Sequence, residues 1–396
     1  MRLNCDILYT LLLRKDVRIM VEIREVLSRS DLKKFVTLPN KMYRDVPQFM
    51  PPFVSDDMDD WNPKKNPAYE YCDARCWLAY RNGEIVGRIG AILSRKANEK
   101  WNTRRMRFTQ VDFIDDYEVS EALFKTVEAW ALEKGCNEVH GPLGCTDMDR
   151  EGMLVEGFDE KSMFITYYNF PYYLDHLTRL GYAKDVDWVE YLIELPEQDA
   201  PIVDKLDHLS ERLLRMTKTH IAELKSRKDY YPYLNQLFDL LNTCYAGLYG
   251  TVEFTDAQIQ KYAEKFIPMI VPDLVCFLLD ENNRMIGCAI TAPSMAEAIK
   301  KNNGHLFPLG FIDVLKALKV NDTLDLFLIG VHPDYQNTGL NAVLMNHVLK
   351  GCYKMGIKQA ETGPQLELNS KVQDQFKWFN RRQHKRRRCF IKKIAD

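Results

Sequence analysis

"LDLFLIGVHPDYQNTGLNAVLMNHVLK" (Leu324–Lys350) passes from an apolar stretch through a polar corner into a helical pattern. Leu324, Leu326, Leu328 and Gly330 recur at every second position, the period of a strand with one buried face. From Leu340 or Asn341 onward the apolar residues take helical spacing. Free N–H groups point out of a helix start, and the macrodipole adds partial positive charge there, so such a corner suits phosphate. Gly339 lets a bulky anion approach the backbone. The same glycine also serves plain turn geometry, and the corner alone leaves both readings open.

Around this corner the second half reads as two helices ("YYPYLNQLFDLLNTCYAGLYG" and "TDAQIQKYAEKFI"), a hairpin over 276–290 and the strand "TLDLFLIGV". A helix closed by Gly356, the strand "KQAETGP", the helix "NSKVQDQFKWFN" and a last strand "RRRCFIKKI" follow. The first half has the same order. It shows the strand "VEIREV", a Ser-capped helix, a hairpin over 76–93 turning on Asn82-Gly83, the strand "RFTQVDFI", a helix closed by Gly135 and the strand "NEVHGP". A short helix and the strand "VDWVEYLIEL" end it. Cys76, Leu78, Asn82 and Gly87 stand 200 positions before Cys276, Leu278, Asn282 and Gly287, and Gly141-Pro142 is echoed by Gly363-Pro364. An internal duplication accounts for both, with a helical insertion, "TAPSMAEAIKKNNGHLFPLGFIDVLKALKVND", in the second copy. The predicted fold is α/β (α+β), with a mixed central sheet and helices on both faces, in two tandem domains.

The length of 396 residues suits two cores, placed at 20–198 and 199–396 behind an N-terminal extension, 1–19. Apolar residues at 46% and charged residues at 28% describe an ordinary globular chain. The net charge of −2 conceals "RRQHKRRRCFIKK" (381–393), with eight Lys or Arg and no acid. Its alternation reads as a half-buried edge strand whose charges discourage aggregation, and no nucleic-acid partner is expected. Ten cysteines without a CxxC pair indicate free thiols, no metal site and a cytoplasmic location. No apolar run reaches 18 residues, so no membrane span is expected. The first residues read as an upstream extension, with Met20 beginning the fold, rather than a secretory leader.

The element order, with the corner after the fourth strand, resembles the GNAT superfamily of acyl-CoA-dependent N-acyltransferases. In that family the corner follows Gln/Arg-x-x-Gly-x-Gly/Ala and holds the coenzyme A pyrophosphate through main-chain amides. The matching residues here are Gln336, Asn337, Thr338, Gly339, Leu340 and Asn341, with Asn341 standing where Gly or Ala is usual. The resemblance also implies fourth and fifth strands that splay apart, pantetheine pairing with the main chain of Leu328, Ile329, Gly330 and Val331, and Asn369 at the next helix start. "DFIDDYEVSEALF" has no glycine at the equivalent corner of the first half, and "GPLGCTDMDREGMLVEGFDEKSMFITYYNFPYY" is similar to a bacterial group of long GNAT-like proteins. This implies one cofactor site, in the second domain, and a degenerate first domain that shapes the substrate pocket.

The implied donor is acetyl-CoA or another acyl-CoA, and the implied acceptor an amine. Direct transfer needs a neutral nucleophile, a polarised thioester carbonyl and a proton for the thiolate. Amides near Val331 suit the carbonyl. Glu361 and Asp325 are the carboxylates placed closest to the cleft, ahead of Glu367 and His332. The family often draws a tyrosine from the helix after Asn369; this one offers Phe376, Trp378 and Phe379, which leaves Tyr353 or water. "YYNFPYY" (167–173) reads as core and interdomain packing, with tunnel lining as the alternative. Two other functions stay open: a non-catalytic acyl-CoA-binding or interaction protein, and a Fem-type aminoacyl transferase whose basic end contacts RNA.

Overall fold

The computed structural model describes residues 20–396, so the extension assigned to 1–19 lies outside the described residues. The first half opens with β1 (Glu22–Glu25) and α1 (Arg29–Met42), whose Ser28 hydroxyl accepts the Asp31 amide at 3.1 Å. After α2 (Val54–Asp60), Asn82 and Gly83 take φ of 55° and 82°. Two positive-φ residues give the turn whose twist matches its strands, and they join β2 (Cys72–Arg81) to β3 (Glu84–Ser94) as expected. The half continues with α3 (Arg95–Trp101), β4 (Arg105–Phe113), α4 (Tyr117–Glu133), β5 (Glu138–Gly141), β6 (Met153–Glu156), α5 (Tyr172–Arg179) and β7 (Ala183–Glu194). Trp77, Phe108, Phe113, Phe124 and Trp130 form its core between sheet and α4.

The second half begins with α6 (Pro201–Thr217), a helix outside the sequence reading. Pro201 occupies its first turn, where a missing N–H costs nothing. Then follow β8 (His220–Ile221), α7 (Leu234–Tyr245), α8 (Asp256–Phe266), β9 (Val275–Leu279) and β10 (Met285–Pro293). The expected insertion forms α9 (Ala296–Lys301) and α10 (Gly310–Ala317). After β11 (Thr323–Val331) come α11 (Asn341–Met355), β12 (Gln359–Thr362), β13 (Gln365–Leu366), α12 (Ser370–Gln373) and β14 (Asn380–Lys393). One face of this half's sheet packs on α6 and α11, through Leu213, Leu278, Leu324, Val343 and Leu344. The other packs on α7 and α8, through Phe238, Leu241, Tyr262 and Phe277.

Both halves share one sheet, in the order β1-β2-β3-β4-β5-β14-β7-β12-β11-β10-β9-β8, with β6 on β14 and β13 on β7. Each half has one parallel pair, β4 with β5 and β11 with β12, the same topology twice. The last strands cross over. β14, from the second half, pairs with β5 of the first, and β7, from the first half, pairs with β12 of the second.

This crossing overturns the edge-strand expectation for residues 381–393, because β14 has neighbours on both sides. Its charges are neutralised inside the protein rather than solvated. Arg387 and Lys385 are 0% and 1% exposed and both pair with Glu190 of β7, Lys385 also with Glu361 of β12. Arg388 and Arg386 pair with Asp187, and Arg382 with Glu160. A tRNA-binding face drawn from this segment finds few free cations.

The regular stripe expected along β11 also breaks. Ile290 pairs with Leu328 but Thr291 with Leu326, so Phe327 is a bulge residue. One extra residue reverses which face the following side chains take. Leu324 therefore packs on the α11 face, and Leu328 on the α7 face.

Candidate functional site

The corner between β11 and α11 is built by backbone conformation. Asn337 and Gly339 take φ of 65° and 87°, turning the chain so that successive amides face outward. The first bond of the helix runs from the Ala342 amide to the Gly339 carbonyl at 2.8 Å. Among the described residues the amides of Asn337, Thr338, Gly339, Leu340 and Asn341 have no protein acceptor. Leu340 occupies the cap position and supplies no side-chain acceptor, and the Asn341 side chain does not cap the helix. The Gln336 side chain folds back on the Val331 carbonyl at 3.3 Å, and the Thr338 hydroxyl donates to the Tyr335 carbonyl at 2.6 Å. A row of free amides at a helix start is an anion cradle.

The matching corner of the first half is filled. Asp116 caps α4, accepting the Glu118 amide at 3.0 Å, and Arg81 pairs with both Asp116 and Glu118. A carboxylate already sits where a phosphate would go.

Beside the intact corner, β11 and β12 part. They pair only from Thr323–Gln359 to Leu326–Thr362, and β12 then ends at Gly363-Pro364, while β11 stays on β10 as far as Val331. The Phe327 bulge bends β11 at the point of separation. The His332 amide donates to the Ile286 carbonyl, so by the alternation of an antiparallel ladder Leu328 and Gly330 turn their polar groups to β10. Ile329 and Val331 turn theirs to the gap. Their carbonyls are taken by α7, through the Tyr245 hydroxyl (3.4 Å) and the Cys244 thiol (3.4 Å). Their amides have no strand partner on that side. Of the four expected pantetheine-pairing residues, Ile329 and Val331 are thus the two with groups facing the gap.

A cavity of about 350 Å³ opens at this gap and reaches both faces of the sheet. Leu328, Ile329, Tyr245 and Phe238 line it on the α7 and α8 side, and Leu344, Val348 and Phe376 on the α11 side. Asn369, at the start of α12, lies on its wall. Most of the lining is apolar. The aromatic run 167–173 belongs mainly to the first core, where Tyr173 stacks on Phe113 with centroids 4.1 Å apart. Phe164, just before it, reaches the cavity and meets Phe327 edge-on at 6.2 Å.

The candidate acids separate. Asp325 and Glu361 face each other across β11 and β12. Burial, reinforced by Glu361, raises the Asp325 pKa well above the carboxylate range, against the Ser294 hydroxyl. Glu361 is also raised by burial, with Lys385 opposing and Glu190 reinforcing. Glu361 is held by Lys385 and is absent from the cavity lining. Glu367 pairs with Lys184 and Arg386, and His332 accepts the Asp334 amide at 3.3 Å. The Tyr353 hydroxyl donates to the Pro196 carbonyl at 2.9 Å, on the far part of α11. At 1.5 Å rise per residue it is about 18 Å along the helix from Asn341.

Tyr245, Asp147 and Glu151, outside the sequence-based candidates, do line the cavity. Tyr245 was hidden in an amphipathic helix, where a tyrosine reads as core. The loop "GCTDMDREG" (144–152) offered a visible signal, three acids two residues apart between glycines, but only the fold shows that it faces the other half's cavity. Burial raises the Asp147 pKa to about 6 and that of Glu151 well above the usual range.

Comparison with known proteins agrees with this geometry. Residues 234–374 match the model of the acetyltransferase (GNAT) family. Protein YghO of Escherichia coli is 27% identical over 379 residues, covering 94% of this chain and 95% of that protein. A protein named bacterial ceramide synthase, from Caulobacter vibrioides, is 25% identical over 349 residues, covering 86% and 89%. Among solved structures, a tandem GNAT protein from the clavulanic acid biosynthesis pathway superposes with a TM-score of 0.54 over 95% of this chain and 99% of that one, at 12% identity. That likeness carries the fold alone.

Proposed function

We propose, from the premise that this chain belongs to the GNAT superfamily through its second half, that it transfers a long acyl chain from coenzyme A to an amine. The observation that carries this reading is the apolar cavity opening where β11 leaves β12. An acetyl group has roughly the volume of two or three waters at ~30 Å³ each, whereas the cavity holds about 350 Å³. It falls in the range of about 300–1,000 Å³ typical of whole-ligand sites. The relative named bacterial ceramide synthase favours the same class, since a ceramide is a long-chain amine carrying an N-acyl chain.

In this reading the amides of Asn337 to Asn341 bind the diphosphate, and the outward amides of Ile329 and Val331 bind the pantetheine arm and polarise the thioester carbonyl. The amine nitrogen attacks that carbonyl carbon, the carbon–sulfur bond breaks, and the thiolate takes a proton. Tyr245 is a phenol in contact with that edge, its hydroxyl donating to the Ile329 carbonyl, and we assign it the role first expected of Tyr353. Glu361 and Asp325 act in this reading as fold determinants under the gap rather than as the base.

The test is release of free thiol from acetyl-, octanoyl- and palmitoyl-CoA with short and long amines. Release that rises with acyl length supports the reading. Binding of every donor with no thiol from any pair supports the non-catalytic alternative, which the missing tyrosine on α12 favours.

A further inference from the structure

The loop between β5 and β6 comes from the half whose own phosphate corner is filled, yet it borders the cavity of the other half. Asp149 is occupied there, its Oδ2 accepting the Cys145 and Thr146 amides at 2.7 and 3.1 Å. Asp147 and Glu151 are different. Among the described residues neither pairs with a cation, and Oδ1 of Asp147 is shielded from solvent without any donor. The guanidinium of Arg107 is nearby but donates to the Gly144 and Gly250 carbonyls, both at 2.7 Å. The wall of the same cavity includes Met148, Trp188, Tyr245, Leu248 and Tyr249, and Tyr245 is close enough to Asp147 to feel its charge. Uncompensated carboxylates in such surroundings are unfavourable, and the penalty falls when a cation with an apolar body arrives. The same wall holds Tyr245, which reaches the β11 edge where the thioester carbonyl is placed.

We infer that Asp147 and Glu151 form the subsite for the ammonium group of a long-chain primary amine, and that Asp147 receives the proton that leaves the ammonium before the nitrogen attacks. The inference rests on the acyl-transfer reading and names its acceptor. The bound ammonium passes one proton to Asp147, the nitrogen–carbon bond forms as the carbon–sulfur bond breaks, the Tyr245 proton goes to the thiolate, and the second N–H proton restores Tyr245. Apolar residues from both faces of the sheet line the cavity. The perturbed Asp147, at about 6, fits a group that exchanges protons near neutrality. The groups that bear on its titration are Glu151, Asp149, Arg107 and Lys100. The phenols of Tyr245 and Tyr249, and beyond Tyr249 the His140 and Asp185 side chains, complete the surroundings.

The test measures binding to the full chain without turnover, using dodecylamine and, as the uncharged control, dodecanol. Asp147→Asn combined with Glu151→Gln is expected to weaken dodecylamine binding at least tenfold and to leave dodecanol and palmitoyl-CoA binding unchanged. In the unaltered protein, dodecylamine affinity is expected to fall at least threefold from pH 7.5 to pH 5, with dodecanol unaffected, because Asp147 loses its charge over that range while the ammonium keeps its own. Equal dodecylamine binding by the double variant, or affinity flat across that pH range, overturns the inference. If the double variant fails to fold, the pH titration of the unaltered chain decides alone. Failure of the acyl-transfer reading registers separately, as no free thiol from palmitoyl-CoA with any amine in the release assay on the unaltered protein.

Discussion

Replacing Gly339 by aspartate tests the diphosphate cradle, and replacing it by alanine separates charge from backbone strain. Gly339 has φ of 87°, and a Cβ added there would lie 3.5 Å from Leu213 Cδ1, an ordinary contact. Alanine therefore brings only the left-handed penalty, about 1–2 kcal/mol. For a unit of about 200 residues that lowers Tm by roughly 2–8 °C, at about 2–4 °C per kcal/mol. The five free amides remain, so coenzyme A binding by Gly339→Ala should weaken only a few-fold. Aspartate adds a negative charge beside a diphosphate. At about 4 Å and an effective dielectric near 20, one pair of unit charges repels by about 4 kcal/mol. Exposure at the corner and salt screening reduce this to about 2–4 kcal/mol, or roughly 30- to 1,000-fold in Kd. Calorimetric titration of coenzyme A into both variants at low and moderate salt reads the difference. Gly339→Asp binding within threefold of Gly339→Ala refutes the cradle.

Glu190→Gln should destabilise the protein by about 3–5 kcal/mol, because it strands Arg387 and Lys385 in the middle of the sheet. Burial acts to raise the Glu190 pKa, but these two cations outweigh it and hold it at about 2. Its contribution is therefore complete above the unfolded value of about 4.3 and is lost as pH falls toward 2, so the gap between the two proteins in urea titrations should close over that window. Asp325→Asn should have the opposite sign. The Asp325 pKa is raised, so folding is penalised once pH exceeds the unfolded value of about 3.9, and the variant should gain stability from pH 4 to pH 8, most at the top. A melting temperature that is unchanged or lower at pH 8 counts against this. Tyr245→Phe should lower kcat by about 10²–10⁴-fold with little change in acyl-CoA binding, whereas Tyr353→Phe, far along α11, should leave kcat within a few-fold. Reversal of that pair in single-turnover assays removes Tyr245 from the mechanism.

Hairpins, caps and the glycine corner were legible because each is written within a few residues. Asn82-Gly83 closes its turn, Ser28 caps α1 and Gly356 ends α11 in the left-handed conformation, as their chemistry requires. The candidate acids were less so. Asp325 and Glu361 do sit side by side on β11 and β12, but whether a strand carboxylate faces a ligand or an ion pair depends on the strands beyond it, and Glu361 meets Lys385 of β14, on the far side of β7. Asp147 and Glu151 were visible as a spaced acidic loop without any sign of what they face.

The sequence by itself determined most of the element order, the repeated topology and the glycine corner, since periodicity, capping and positive φ act over a turn or two of chain. Only the tertiary structure decided that β7 and β14 cross between the halves, that a basic strand lies at the centre of the sheet, and that a loop of one half lines the cavity of the other. Those features join residues about 200 positions apart, as in the Lys385–Glu190 pair. A strand's hydrogen-bonding edges are the same whichever neighbour they meet, so the choice of partner leaves no local pattern to read.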